Sequence, residues 1–529
     1  TRDRSIVFRD RRQRHGRKTR VQFTPTPDEV SRGRARFALD LPLDEPVVVS
    51  VRVDWDLPDI STTAPVPITS DEREEPLTKW LRGTPKLLTD DLDLQLAYDR
   101  AVRDLAILEL DLSSGHAIPA AGVPWYLAIF GRDALITSLQ SLLLGPRMAM
   151  GTLRTLAAYQ AVERSDFRDA EPGKMPHEIR FGELAGTNAV PHARYYGTVD
   201  ATPLWILLLC EVWRWAGDRE FVKEMLPAAE RALRWIDEEG DLDGDGLIEY
   251  QRRSPHGLEN QGWKDSWDSI RFADGSFANS PIALVEVQGY VYAAKRALAD
   301  LYEDFGRLED AGRLRKQAAR LKALVQQAFW LPSEEYYALA LDHAKRPVDS
   351  VTSNPGQLLW SGLPDEPYAS KVVARLMAPE SYSGWGLRTM ATTMGAYNPM
   401  SYHNGSIWPH DNSLIAAGFW RYGYLDEAAR VINDLIAATR RFDDHRLPEL
   451  FCGYDRAATP FPVDYPVACS PQAWAAGSVV LMVQTLAGIA PSTSELQIQP
   501  PPQHRSLRLT NVPFRGARTR EIDVAAVGD

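Results

Sequence analysis

The chain has 529 residues, of which 44% are apolar and 25% charged, with a formal net charge of −11. These proportions are those of an ordinary globular protein and exclude a disordered or fibrous one, and the length allows one large core with smaller attachments. The negative balance argues against nucleic acid or anionic lipid as a partner.

Cys210, Cys452 and Cys469 are the only cysteines, too few and too widely spaced for a disulfide framework or a CxxC metal site. The longest apolar stretches are short or broken by Gln, Arg or Glu, so neither a secretory nor a transmembrane segment is expected. Cytoplasmic residence is the expectation. The first residue is Thr1 and not Met, which fits a trimmed chain or one lacking an upstream domain.

From Ser5 to about Asp56 apolar residues fall at every second position, as in SIVFRD, TRVQFTP, RARFALDL and PVVVSVRVDW, a pattern that predicts a small β region. The basic run Arg9–Arg20 reads as a solvated hairpin between two of these strands. Leu57 to Glu75, rich in Pro, Thr and acidic residues, reads as a linker or covering loop, so residues 1–80 form a β-rich region with its linker.

Residues 81–490 change to helices of two alternating kinds. Asp91–Leu110, Met148–Gln160, Pro227–Asp237, Leu308–Phe329, Tyr368–Met377 and Asp426–Arg440 are amphipathic and predict outer helices. Ala134–Leu144, Ala201–Trp215, Pro281–Leu298, Gln357–Leu363, Asn412–Trp420 and Pro471–Leu486 are apolar nearly all round and need other helices on every side. An inner ring inside an outer ring follows, a mainly α barrel of antiparallel helix pairs. The segments share no fixed repeat length, which argues against a solenoid. A hairpin is expected around Glu334–Val351, and residues 491–529 return to short strands that could pack on the N-terminal β region.

Each inner helix follows a loop rich in aromatic and polar residues, and in such a barrel these loops open on one side. Aromatic faces that stack on a pyranose, with planar charged groups that hold paired hydroxyls, are what a carbohydrate pocket needs. The segments PWYLAIFGRDALIT, YYGTVDATPLW, NQGWKDSWDS, YHNGSIWPHD and RLPELFCG occur in this order. Together they resemble the amylo-α-1,6-glucosidase or glycogen-debranching-like hydrolases, relatives of the glucoamylase and processing α-glucosidase families, over about Leu88–Leu486. The resemblance implies an (α/α)6 barrel and inverting hydrolysis of α-linked glucosides.

For Asp265 in WKDSWD the resemblance implies the general acid. A carboxyl walled by Trp263 and Trp267 would be desolvated and tend to keep its proton, provided Lys264 points the other way, as neighbours in an extended loop do. Asp268 is the fallback. Glu449 in RLPELFCG matches the base, which an inverting enzyme holds about 6.5–9.5 Å from the acid to admit a water; Glu286 and Asp411 are its rivals. Arg132 and Asp133 resemble a pair that grips the terminal sugar's hydroxyls, since Arg supplies paired donors and Asp accepts. Trp125, Tyr196, Asp200, Trp408 and His410 are pocket walls by the same carry-over, and Lys264, Glu286 and His403 complete the expected substrate contacts.

Asp241, Asp243 and Asp245 imitate the first half of a calcium loop, but Arg252 stands where a bidentate Glu belongs, so a rigid acidic turn is the preferred reading. His403 and His410 lack a partner at zinc spacing. No organic cofactor is expected, and calcium is a weak alternative. The expected enzyme is an exo-acting inverting α-glucosidase with α-1,6-linked glucosides of glycogen type as first substrate. Trehalose-like or glucosylglycerate-like compounds, a phosphorylase on a similar barrel, and a non-catalytic carbohydrate-binding barrel stay open as alternatives.

Overall fold

The computed structural model describes residues 4–9, 18–31, 33–40, 46–56, 77–78, 80–111, 116–180, 190–501 and 505–525. Most of the basic run and the whole Leu57–Glu75 linker lie outside the described residues. The chain divides into two compact units, Thr1–Pro76 and Leu77–Asp529.

In the first unit Lys18–Thr24 is the middle strand of an antiparallel sheet, between Ile6–Arg9 and Ser50–Asp56. Val21 pairs with Ile6 on one side and Val53 on the other, so the alternating β-branched residues set the register. The expected strand over RARFALDL is realised only at Arg34–Arg36, which pairs with Glu29–Ser31.

The second unit is mainly helical. Its helices are α1 (Leu92–Leu108), α2 (Gly131–Gln140), α3 (Arg147–Ala158), α4 (Ala201–Ala216), α5 (Arg219–Arg234), α6 (Val285–Asp304), α7 (Leu308–Phe329), α8 (Gly356–Ser361), α9 (Glu366–Met377), α10 (Pro409–Arg421), α11 (Leu425–Thr439) and α12 (Ala473–Leu486). Every residue of α2 is buried, as are nearly all of α4 and α12. In α5 the buried residues are Phe221, Val222, Met225, Ala228, Ala229, Ala232 and Leu233, a stripe at three- and four-residue spacing.

The contacts follow that division. Each of α2, α4, α6, α8 and α10 packs on the next even-numbered helix, and α12 packs back on α2. The odd-numbered helices lie against this cycle: α1 on α12, α3 on α2, α5 on α4, α7 on α6, α9 on α8 and α11 on α10.

Helix α5 starts eight residues before the expected Pro227. Asp218 caps it by accepting from the Phe221 amide at 3.0 Å, a stronger start signal than a proline, which the helix carries in its interior. In the Glu334–Val351 segment Ala340–Leu341 pairs with both Pro347–Val348 and Ala283–Leu284. The C-terminal strands Leu507–Phe514 and Ala517–Val524 form one sheet with Lys86–Thr89, just ahead of α1. That pairing stays inside the second unit. Among the described residues no helix is long and apolar enough to cross a membrane.

Candidate active site

The N-terminal ends of the buried helices carry the polar residues: Arg132 and Asp133 on α2, Glu286 on α6, His410 and Asp411 on α10 and Trp474 on α12, with Asp200 just before α4. Positive helix termini favour carboxylates there. Close approach makes this end possible. A Cβ on Gly131 would meet the Pro176 carbonyl oxygen at 1.9 Å, and the Gly131 amide donates to His177 O at 2.7 Å, so only glycine lets the strand before α2 pair with Glu178–Ile179.

A cavity of about 140 Å³ opens at this end, lined by Arg132, Asp133, Trp263, Asp265, His403 and Trp408 together with Tyr126, Phe130, His177, Glu178, Arg180, Leu258, Tyr402 and Trp474. Its floor is built on Arg132. Nη1 donates to Asp200 Oδ2 at 3.1 Å and to Gly262 O at 2.9 Å, and Nη2 to Asp265 Oδ2 at 2.8 Å. The guanidinium is therefore fixed from three sides, and Asp200 acts behind the cavity as its anchor. Asp133 is buried beside it, and burial pushes its carboxyl up to about 6 against the attraction of Arg132.

Asp265 departs from its expected environment. Trp263 is buried against His403, Trp408 and His410, but Trp267 is 69% exposed and does not line the cavity. Burial alone would raise the Asp265 carboxyl; His177 beside it and the charge of Arg132 overcome it and hold the group down at about 2. His177 Nε2 stands 3.5 Å from Asp265 Oδ2. This setting keeps Asp265 ionised, contrary to the expected proton-retaining acid, because His177 and the Arg132 guanidinium outweigh burial.

Glu449 shows the opposite balance. Burial pushes it up to about 7, opposed by hydrogen bonds from the Cys469 amide and the Tyr402 hydroxyl and reinforced by Asp133 and Asp265. The Cys469 amide is 2.9 Å from Oε2, and the Tyr402 hydroxyl donates to Oε1. Glu449 does not itself line the cavity; Tyr402, which donates to it, does.

Other expected contacts fall elsewhere. Lys264 turns away from the cavity, as chain alternation requires, and donates to Thr389 O at 2.6 Å. Glu286 is buried near it with both carboxylate oxygens lacking a hydrogen-bond partner, and Asp411 accepts from Gln357 Nε2 at 2.5 Å. Burial pushes Glu286 up and Lys264 down, the latter opposed by the charges of Asp411 and Glu286. Neither Glu286 nor Asp411 reaches the cavity.

Tyr196 donates to Tyr159 O at 2.7 Å and packs with Ala161 and Ala170, away from the cavity. His410 is stacked on Trp474 with ring centroids 3.8 Å apart, and Trp474 takes the wall position instead. Trp125 is 57% exposed on the rim, one residue from Tyr126. Asp268 contributes its backbone carbonyl, which accepts from Asn404 Nδ2 at 2.9 Å. In the acidic turn the Lys345 ammonium pairs with Asp243 at 3.0 Å, Asp245 at 2.7 Å and Glu249, while Asp241 accepts from the Gly244 and Gly246 amides.

Sequence reasoning missed His177, Glu178 and Arg180 because they lie on the long connection between α3 and α4. The dense polar run KMPHEIR was the available signal. His403 is neutral near pH 7, since burial pushes its imidazole down to about 3. Arg180 Nε donates to Glu178 Oε2 at 2.6 Å, so both guanidinium groups of the wall are paired with carboxylates.

The fold that carries this cavity has counterparts among known proteins. A sialidase structure superposes with a TM-score of 0.62 at 14% identity, over 94% of this chain and 45% of that one; the chain thus spans less than half of the sialidase's length. The GH63 mannosylglycerate hydrolase from Thermus thermophilus in complex with glucose gives a TM-score of 0.55 at 19% identity, over 73% of this chain and 99% of that one. The same enzyme in complex with Tris and D-glycerate gives 0.53 at 17%, with the same coverage. At these identities the likeness is one of fold. The model of the mannosylglycerate hydrolase MGH1-like glycoside hydrolase domain matches residues 132–459, from the floor arginine to beyond Glu449. That match takes in more than half of the chain and names a glycoside hydrolase, though not the debranching type expected from the motifs, and the chain belongs to the MGH1-like glycoside hydrolase family.

Proposed function

We propose that the chain is an exo-acting, inverting α-glucosidase for neutral α-linked glucosides, with α-1,6-linked glucose units the first candidate, and that the cycle of even-numbered helices is the inner ring of an (α/α)6 barrel. The observation that carries the substrate reading is the charge of the cavity. Arg132 is paired by Asp200 and Asp265, Arg180 by Glu178, and His403 is neutral, so neither guanidinium of the described wall is left uncompensated for a carboxylate-bearing leaving group. A volume of about 140 Å³, well under the roughly 300–1,000 Å³ of drug-sized sites, suits one sugar ring.

Asp265 and Glu449 are the two carboxyl groups of the reaction. Asp265 is 26% exposed at the cavity surface and can touch the leaving oxygen, as an acid must. Glu449, held by Tyr402, needs only to reach a water, as a base does. Acetal cleavage puts the proton of Asp265 on the leaving oxygen as the C–O bond breaks, while Glu449 takes a proton from the attacking water and the anomeric configuration inverts. Between about pH 2 and 7 the pair carries one proton, resting on Glu449, and catalysis requires that proton on Asp265. No cofactor enters these steps. Arg132 and Asp133 grip the ring's hydroxyls as paired donor and acceptor.

The test is hydrolysis of a panel of neutral α-glucosides beside α-glucosylglycerate and α-mannosylglycerate. Faster kcat/KM on a neutral glucoside is expected; preference for either glycerate would overturn the reading.

A further inference from the structure

Trp267 and Phe277 form an exposed aromatic pair outside the cavity, with ring centroids 5.7 Å apart and planes tilted by 33°. Their exposures are 69% and 45%, large for aromatic side chains that a core would bury. The pair is braced. The Arg271 guanidinium carbon lies 3.4 Å from the Phe277 ring centroid, and Arg271 donates to Asp268 O at 3.0 Å and Gly275 O at 2.9 Å. The adjoining chain is held at the cavity wall, where the Ser266 hydroxyl meets His403 Nδ1 at 2.7 Å.

Trp267 follows Asp265 by two residues, a reach of at most about 7 Å of extended chain. The platform therefore adjoins the chain segment that brings Asp265 to the cavity wall. A cavity that holds one ring leaves the second ring of an oligosaccharide outside it, at this distance. Flat aromatic faces meet the C–H surface of a pyranose and need no charge on it.

We propose that the Trp267–Phe277 platform is the leaving-group subsite, which holds the second pyranose of a neutral α-linked oligosaccharide by stacking. This assignment rests on reading the cavity as the glycosidase pocket.

The experiment compares kcat/KM for an α-1,6-linked glucose disaccharide with that for α-glucosyl fluoride, which has no second ring. In Trp267→Ala the disaccharide-to-fluoride ratio falls about five- to tenfold, the scale of one aromatic contact, and Trp267→Tyr restores most of it. An unchanged ratio in Trp267→Ala overturns the platform and leaves the cavity's role standing. A wild-type chain that hydrolyses neither compound overturns both.

Discussion

Converting Asp265 and Glu449 to amides should move stability in opposite directions at pH 8. Asp265 falls from an ordinary 3.8 to about 2 in the folded protein. At 1.36 kcal/mol per unit, its ionised form contributes about 2 kcal/mol, fully present above 3.8 and lost as the pH falls through 2. Glu449 rises from 4.5 to about 7. Its ionisation costs about 3 kcal/mol, a cost absent below 4.5, growing between the two values and complete above 7. Asp265→Asn should therefore be less stable than wild type by about 2 kcal/mol at both pH 5 and pH 8. Glu449→Gln should be more stable by up to about 3 kcal/mol at pH 8 and by less than about 1 kcal/mol at pH 5. Urea unfolding of the three proteins at both pH values measures this. A Glu449→Gln protein no more stable than wild type at pH 8, or shifted equally at both, would refute the burial argument.

Because the active pair carries one proton, kcat/KM should hold level on the acid side of neutrality and fall above about pH 7 as Glu449 loses its proton. Tyr402→Phe removes a hydrogen bond that favours ionised Glu449, so the falling limb should move to higher pH; a limb that stays or moves down in a pH–rate series contradicts this. Gly131→Ala drives a methyl group against the Pro176 carbonyl and should cost about 3 kcal/mol or more in urea unfolding, since backbone cannot yield as a side chain does. A loss under about 1 kcal/mol would show that the strand pair relaxes.

The alternation of helix kinds was legible because burial on nearly all sides leaves a compositional trace: ATPLWILLLCEVWRW has no polar face to offer water, and α4 reaches it only at Glu211, Arg214 and Ala216. The loops were legible for the same reason, since Trp, Tyr, Arg and Asp gathered before apolar helices have few structural uses. What sequence could not supply was direction. WKDSWDS places a Trp on each side of Asp265, yet Lys264 turns inward to Thr389 and the chain turn at 267–268 leaves Trp267 in solvent. The protonation of Asp265 was misjudged because its partner Arg132 lies 133 residues away, beyond any local pattern. Tyr402, which donates to Glu449, is likewise 47 residues from it. The wall residues His177, Glu178 and Arg180 escaped because they belong to no buried-helix loop.

The division of labour between the two carboxyl groups is tested most directly by leaving-group dependence. An excellent leaving group needs no acid, whereas water needs a base in every case. Rates of Asp265→Asn and Glu449→Gln on an α-glucosyl disaccharide and on α-glucosyl fluoride should differ accordingly. Asp265→Asn should lose about 10²–10⁴-fold on the disaccharide and far less on the fluoride, while Glu449→Gln loses heavily on both. The reverse pattern would exchange the roles, and wild-type rates in both variants would remove the pair from the chemistry altogether.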